Sequence, residues 1–237
     1  MRKPRLLDLF CGAGGAAVGY SRAGFEVVGV DIEPQPHYPF EFHQADWREW
    51  ASGTMTFDVL HASPPCPRYS SISRVHGTAA NHPDLVGQVR EVLIASGLPY
   101  VIENVVGAPL RDPVMLCGSM FGLGVTCDDG QWRQLRRHRL FETPVLMLTP
   151  NCQHDGEPIG VYGHGGGQVK TARSGLGTNR GYMGRVHERG PAMGIDWMTR
   201  DELSDAIPPA YTEWIGRQLL TALADNPPIN TDSQEQP

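Results

Sequence analysis

The run Leu6-Leu7-Asp8-Leu9-Phe10-Cys11-Gly12-Ala13-Gly14-Gly15-Ala16-Ala17 decides the fold. Its first five residues are apolar except for Asp8, and strands covered on both faces read as near-continuous hydrophobic runs. Small residues follow at once, with Gly12, Gly14 and Ala17 spaced as in a G-x-G-x-x-G/A turn. Small residues there let a cofactor approach the backbone and let the next helix pack against the strand. That helix is expected over residues 16–23, stopped by Gly24. Phe25-Glu26-Val27-Val28-Gly29-Val30-Asp31 reads as a second strand ending in an acid, 19 residues after Gly12. A carboxylate at that place accepts hydrogen bonds from both hydroxyls of a ribose. Strand, glycine turn, helix, strand and acid in register predict a Rossmann-like α/β sheet with a nucleotide-type cofactor. Asp8 inside the strand and the missing third glycine favour S-adenosylmethionine over a dinucleotide.

Bulk properties agree with one such domain and a modest appendage. The 237 residues are 40% hydrophobic, enough for an ample core. Five cysteines at irregular spacings make no disulfide framework, which points to a reducing cytoplasm. The N-terminus runs straight into a strand without a signal peptide, and no apolar stretch is long enough to span a membrane. A net charge of -6 argues against non-specific coating of nucleic acid and leaves room for a local basic surface.

Outward from the turn, Gln44-Ala45-Asp46-Trp47 closes a third strand. Asp46 has two readings there, an acceptor for an adenine amino group or the N-cap of a short helix. Phe57-Asp58-Val59-Leu60-His61 is a further buried strand, and it stops at Ala62-Ser63-Pro64-Pro65-Cys66-Pro67-Arg68-Tyr69-Ser70. Ligands of open α/β sheets bind outside the carboxyl ends of the strands, so Cys66 is either a thiol delivered into that crevice or a small buried hydrophobe. Residues 67–83 are rich in Ser, Gly and His, with Arg68 and Arg74 among them, and read as a functional lid. A helix then carries Leu85, Val89, Val92 and Leu93 on one face and ends at Gly97. The strand Leu98 to Val105 follows, with Glu103 at its carboxyl end, either placed for proton transfer or bonded to a loop.

At this point the motifs resemble those of the DNA (cytosine-5) methyltransferase family. Asp8-Leu9-Phe10-Cys11-Gly12-Ala13-Gly14-Gly15, Pro64-Pro65-Cys66 and Glu103-Asn104-Val105 are similar to its cofactor, nucleophile and ENV motifs, in the family's order. More loosely, residues 118–123 and Arg137-His138-Arg139-Leu140-Phe141 resemble its Q-x-R-x-R region, and Ser204-Asp205-Ala206-Ile207-Pro208-Pro209 its late segment. The resemblance spans residues 5–217. The chain departs from it at Pro67, Leu135 and Asp205, where the family has Gln, Gln and Asn. A shifted register would make Gln134 and Arg136 the Q-x-R pair.

The resemblance implies a methyl transfer from S-adenosylmethionine to C5 of cytosine in double-stranded DNA, of the kind found in restriction-modification. It implies Cys66 as nucleophile, Glu103 as proton donor, and Arg137 and Arg139 as the arginine pair, with Arg139 on the base's O2. It also implies that Asp8, Phe10, Gly12, Gly14, Gly15, Asp31, Ile32, Asp46, Pro64 and Asp205 line the cofactor pocket. Reaching a paired cytosine requires flipping it out of the duplex. The implied organisation is a catalytic unit over 1–142 and 193–225, a short basic glycine-rich recognition segment over 143–192, and a disordered tail over 226–237. Residues 158–187 hold no acid but carry Lys170, Arg173, Arg180 and Arg185, which suits a loop that follows phosphates better than a plain linker. Cys152-Gln153-His154 with Cys117 and Cys127 upstream raises zinc, but the spacing matches no standard ligand pattern, so no metal is expected. A monomer in the cytoplasm of a prokaryotic or phage-infected cell completes the expectation. RNA as the substrate, or a non-catalytic DNA-binding protein on the same scaffold, are the alternatives.

Overall fold

The first strand forms where its apolar run predicts it. In a computed structural model, which describes residues 2–51, 56–65, 85–162 and 182–225, Arg5–Leu9 is β1 and Gly15–Ala23 is α1. There follow β2 (Glu26–Asp31), β3 (Glu41–Gln44), α2 (Trp47–Ala51), β4 (Val59–Ala62), α3 (Val86–Ala95) and β5 (Tyr100–Asn104). Next come β6 (Val114–Leu116), a 3-10 turn at Gly118–Phe121, β7 (Gly124–Thr126), β8 (Trp132–Leu135), β9 (Arg139–Glu142), β10 (Pro158–Gly160) and β11 (Tyr182–Met183). The described chain ends with α4 (Val186–Met193), α5 (Arg200–Asp205) and α6 (Pro209–Asp225).

Seven strands form the main sheet in the order β3-β2-β1-β4-β5-β9-β6. The first five are mutually parallel, while β9 runs antiparallel to both β5 and β6. The fold is therefore the expected Rossmann-like α/β sheet. Its register sets Asp8 beside His61, and Ala62 beside Ile102, so the carboxyl ends of β1, β4 and β5 finish at one edge. Side chains alternate across a strand, and β1 divides accordingly. Leu6 joins Tyr20, Val27, Val59, Val101, Phe141 and Tyr211 on one face. Leu7 and Leu9 join Val28, Val30, Leu60, Ile102 and Leu93 on the other. Each such aliphatic side chain contributes about 1.5–3 kcal/mol by leaving water.

Two devices fix what packs on this sheet. Helices α1 and α6 cross at Gly19, where a Cβ would lie 2.0 Å from Thr212 Oγ1 and 2.1 Å from the Pro209 carbonyl. The Thr212 hydroxyl donates to the Ala16 carbonyl at 2.8 Å, so the contact is bonded as well as close. On the other side, Glu142 at the end of β9 holds a buried ion pair with Arg90 of α3, at 2.7 and 2.8 Å.

A second sheet, β11-β10-β8-β7, is small. It shares a core with α4 and α5 through Cys127, Leu135, Ile159, Val161, Ala192, Met193, Ile195 and Leu203. The described strands of the 143–192 segment thus join a layer that also includes residues before it. Its β10 pairs with β8, and β7 with β8, so residues 124–135 belong to the same small layer. Among the described residues no helix is long and apolar enough to cross a membrane.

Candidate active site

The tips of β4 and β5 are tied together by hydrogen bonds. Ser63 donates its backbone N–H to the Leu9 carbonyl at 3.1 Å, carrying β4 one residue past its end. The buried Pro64 offers its carbonyl to Asn104 Nδ2 at 3.1 Å, and Asn104 Oδ1 takes the Val105 N–H at 2.9 Å. Pro64-Pro65 is thereby aimed by the neighbouring strand as well as by its own rings. Cys66 itself lies outside the described residues, as do Pro67, Arg68 and Arg74.

Glu103 is buried beside this point. Its Oε1 pairs with Arg139 Nε at 3.0 Å, and the Ser63 side chain hydrogen-bonds to it. Burial pushes the Glu103 pKa above the usual carboxylate range, while Arg139, Ser63 and Arg137 pull it partly back. Ser63 Oγ also lies 2.9 Å from His61 Nε2, and His61 Nδ1 is 2.9 Å from the Tyr20 hydroxyl. A polar chain therefore runs through the core from Tyr20 by way of His61, Ser63 and Glu103 to Arg139. His61 is fully buried, which lowers its pKa to about 3 and keeps the ring neutral. Asp8 Oδ1 is 4.0 Å from His61 Nε2. Burial first, then the charges of Asp31 and Glu103, drive the Asp8 pKa well up, so two groups pushed toward neutrality meet there rather than an ion pair. Among the described residues, neither carboxyl oxygen of Asp8 has a hydrogen-bond partner. His61, Ser63 and Tyr20 are the residues that sequence reading misses. They carry no motif: His61 sits within β4, Ser63 just past its end, and Tyr20 on α1.

At the glycine turn, Phe10 and Gly12 adopt the left-handed conformation, with φ of 58° and 50°. The Gly12 N–H donates to Asp31 Oδ2 at 3.0 Å, and the Glu33 N–H to Asp31 Oδ1 at 3.0 Å. Each oxygen keeps a second lone pair for a further donor. Among the described residues a Cβ on Gly12 would meet nothing within 4 Å, whereas one on Gly14 would lie 2.7 Å from Pro39 Cδ and one on Gly15 2.4 Å from the Ile207 carbonyl. Gly12 thus faces open space, and Gly14 and Gly15 make room for the protein's own chain. Ile32, next to Asp31, is 63% exposed. Asp46 takes the Arg48 N–H at 2.9 Å and the Arg48 guanidinium at 3.1 Å, which is the helix N-cap of its two readings. Phe10 stacks toward Trp47 with ring centroids 5.7 Å apart. Asp205, exposed, ends α5 one residue before Ala206, whose Cβ would lie 3.4 Å from a Cβ on Gly15. Trp197 Nε1 donates to the Ala13 carbonyl at 2.9 Å and holds the small layer against the turn.

The arginines separate by what they touch. Arg139 meets Glu103. Arg137 is fully buried and donates to the carbonyls of Val161 at 2.8 Å and Ser204 at 2.6 Å, linking β10's exit to α5. Burial, and then the charge of Arg139, lowers the Arg137 pKa to about 10. Of the shifted register, Arg136 donates to the Gly156 carbonyl at 2.6 Å and reaches Gln134 Oε1 at 3.4 Å. Arg185, exposed, forms an ion pair with Asp128 of the β7–β8 turn. Lys170, Arg173 and Arg180 lie outside the described residues.

Residues 4–109, which hold β1 to β5 with the glycine turn, Pro64-Pro65-Cys66 and Glu103-Asn104-Val105, match the family model for C-5 cytosine-specific DNA methylases. Over these residues the chain is similar to that family. The methylase-family match stops just after β5, so Arg137 and Arg139 lie beyond it. The Type II methyltransferase M1.HphI of Haemophilus parahaemolyticus is 30% identical over 118 residues, which are 42% of this chain and 32% of that protein. The Type II methyltransferase M.NgoMIV of Neisseria gonorrhoeae is 28% identical over 116 residues, 45% of this chain and 36% of that protein. The methylase-like stretch therefore spans about a third of the length of these curated relatives. Solved structures extend the likeness in fold to nearly the whole chain. A proposed DNA modification methyltransferase encoded within an E. coli prophage gives a TM-score of 0.58 at 16% identity, covering 93% of this chain and 99% of that one. The S. pombe Dnmt2 methyltransferase gives 0.52 at 12% identity, with 94% and 99% covered.

Proposed function

We propose that this protein methylates cytosine at C5 in double-stranded DNA, using S-adenosylmethionine and a covalent adduct through Cys66. One observation carries the reading: a buried, proton-favouring Glu103, held by Arg139 and Ser63, stands one strand away from the Pro64-Pro65 segment that leads into Cys66. Cytosine C5 is a poor nucleophile until a group adds at C6. The Cys66 sulfur forms a bond to C6 while Glu103 gives its proton to ring N3, so no charge is left on the ring. Arg139, paired with Glu103, would contact the base's O2. When bound, S-adenosylmethionine supplies the electrophilic methyl group. C5 bonds to that methyl group, and solvent water then takes the C5 proton. The C6–S electron pair returns to Cys66 as thiolate, and Glu103 recovers its proton from N3.

The residues at the turn fit that cofactor. Open space over Gly12, spare lone pairs on Asp31, the exposed Ile32 face and the unpartnered Asp8 carboxyl suit a nucleoside with a charged tail. Phe10, Gly14, Gly15, Asp46, Pro64 and Asp205 would shape the pocket around it, and Arg137 would hold the arginine strand in place. We assign phosphate contacts to Arg68, Arg74, Lys170, Arg173, Arg180 and Arg185, and target recognition to residues 143–192 together with the small sheet they join. Arg185 would have to leave Asp128 to serve in this way. The protein would act as a monomer in the cytoplasm.

The test is to map 5-methylcytosine in the DNA and RNA of cells expressing the protein, and to challenge it with duplexes carrying 5-fluorocytosine. Fluorine cannot leave as a proton does, so wild type should be trapped covalently and Cys66→Ser should not. Methylation confined to RNA would move the substrate and keep the chemistry. An unmodified genome together with an untrapped wild type would sink the proposal.

A further inference from the structure

We propose that Cys117, His138, Cys152 and His154 bind one zinc ion that staples the loop after β9 to the edge of the main sheet. The antiparallel register of β6 and β9 pairs Leu116 with Arg139, and its next step sets Cys117 opposite His138. Cys152 and His154 come from the loop that follows β9. One ligating atom of each of the four lies within 4.8 Å of all the others. Cys117 Sγ is 3.3 Å from His154 Nε2, and Cys152 Sγ is 3.5 Å from His138 Nε2. Sulfur and nitrogen bound to one tetrahedral zinc sit about 3.6 Å apart, given Zn–S near 2.3 Å and Zn–N near 2.05 Å. Two of the pairs are already at that spacing. Cys152 Sγ and His154 Nε2 are closer, at 2.7 Å, and would part slightly, which a loop holding both can allow.

The donor set selects the metal. Two thiolates and two imidazoles in a compact group suit tetrahedral zinc, and four protein ligands leave no position for a substrate. Ser119 Oγ lies 3.2 Å from Cys117 Sγ and 3.5 Å from Cys152 Sγ, so one hydroxyl can support either sulfur. A Cys117–Cys152 disulfide would leave unexplained why both histidines turn their Nε2 atoms onto these sulfurs. His138 lies between Arg137 and Arg139, so the ion would fix the start of β9 from behind. Cys127, a candidate when only spacing is considered, is buried in the small layer's core instead. Chain spacing hides the site because Cys117 and His138 stand 21 positions apart, and strand pairing alone brings them together.

The experiment uses the full chain and does not depend on its activity. Elemental analysis of protein purified under reducing conditions should give one zinc per chain. Replacing zinc with cobalt(II) should give the strong visible bands of a tetrahedral site and a thiolate charge-transfer band. Cys152→Ser and His154→Ala should each lose nearly all the metal, and Cys127→Ala should keep it. Because a ligand variant can simply misfold, wild type is also stripped with a chelator. Its melting midpoint should fall and return with one equivalent of zinc, and two thiols should become reactive on stripping. Zinc-free protein whose melting ignores added zinc, an octahedral cobalt spectrum, or a Cys117–Cys152 disulfide in freshly reduced and re-isolated protein would each overturn the proposal.

Discussion

At the scale of single residues, the protonation of Glu103 is set by a contest between burial and its partners. Burial wins, so the carboxyl keeps its proton to a higher pH than an exposed glutamate does. If that proton is what N3 receives, methyl transfer should fall as pH rises through the raised pKa. Ser63 favours the charged form, so Ser63→Ala should move this limb to higher pH and slow the reaction, leaving S-adenosylmethionine affinity near wild type. A limb that moves down, read from rate against pH, would remove Ser63 from the relay. His61 makes the opposite prediction for stability. Its folded pKa of about 3 lies below the ordinary 6.5, so the unfolded chain binds a proton that the folded one refuses. Stability should then be lost as pH falls from about 6.5 toward 3, at about 1.4 kcal/mol for each tenfold difference in proton affinity. Denaturant titrations from pH 7 to 4 should show that slope, and His61→Gln should flatten it.

At the scale of elements, Gly12 and Gly14 of the turn and Gly19 of the helix that follows do different work. Gly12→Ala adds a methyl into open space at φ 50°, costing about 1–2 kcal/mol of backbone strain. It should leave the fold intact and weaken cofactor binding. Gly14→Ala and Gly19→Val instead drive a side chain into Pro39 and into Thr212, and should lower the melting midpoint with an overpacking cost of about 1–3 kcal/mol. Calorimetry of S-adenosylmethionine binding beside thermal unfolding separates the two classes. An equal loss of binding in a still-folded Gly14→Ala would mean that this turn opens further than its contacts with Tyr38 and Pro39 allow.

At the scale of the whole molecule, Arg137 joins the small layer to the main sheet. Its guanidinium holds carbonyls from Val161 and Ser204, and the Tyr211 hydroxyl of α6 donates to the Arg137 carbonyl at 2.6 Å. Arg137→Ala should cost about 1–3 kcal/mol for each buried carbonyl left unpaired and split unfolding into two steps. Arg139→Ala should keep a single transition near the wild-type midpoint and lose most methyl transfer. Circular dichroism melts alongside a transfer assay test the pair, and a reversal would place Arg137 in the chemistry and Arg139 in the frame.

What the sequence determined by itself is the order from β1 to β5, the glycine turn and the acids at the strand tips. These follow from local causes: an apolar run buries itself, a positive φ selects glycine, and a proline ends a strand. Glu103 could be named because it ends such a strand. The tertiary structure decided the rest. That Arg139 rather than Arg137 meets Glu103 depends on β9 entering antiparallel beside β5. That Ser63 and His61 serve Glu103 depends on β4 lying between β1 and β5. The four metal-type side chains converge because β6 and β9 pair at the sheet edge. Contacts between strands are fixed by sheet order and register, which are settled by packing over the whole chain, and no window of sequence contains them.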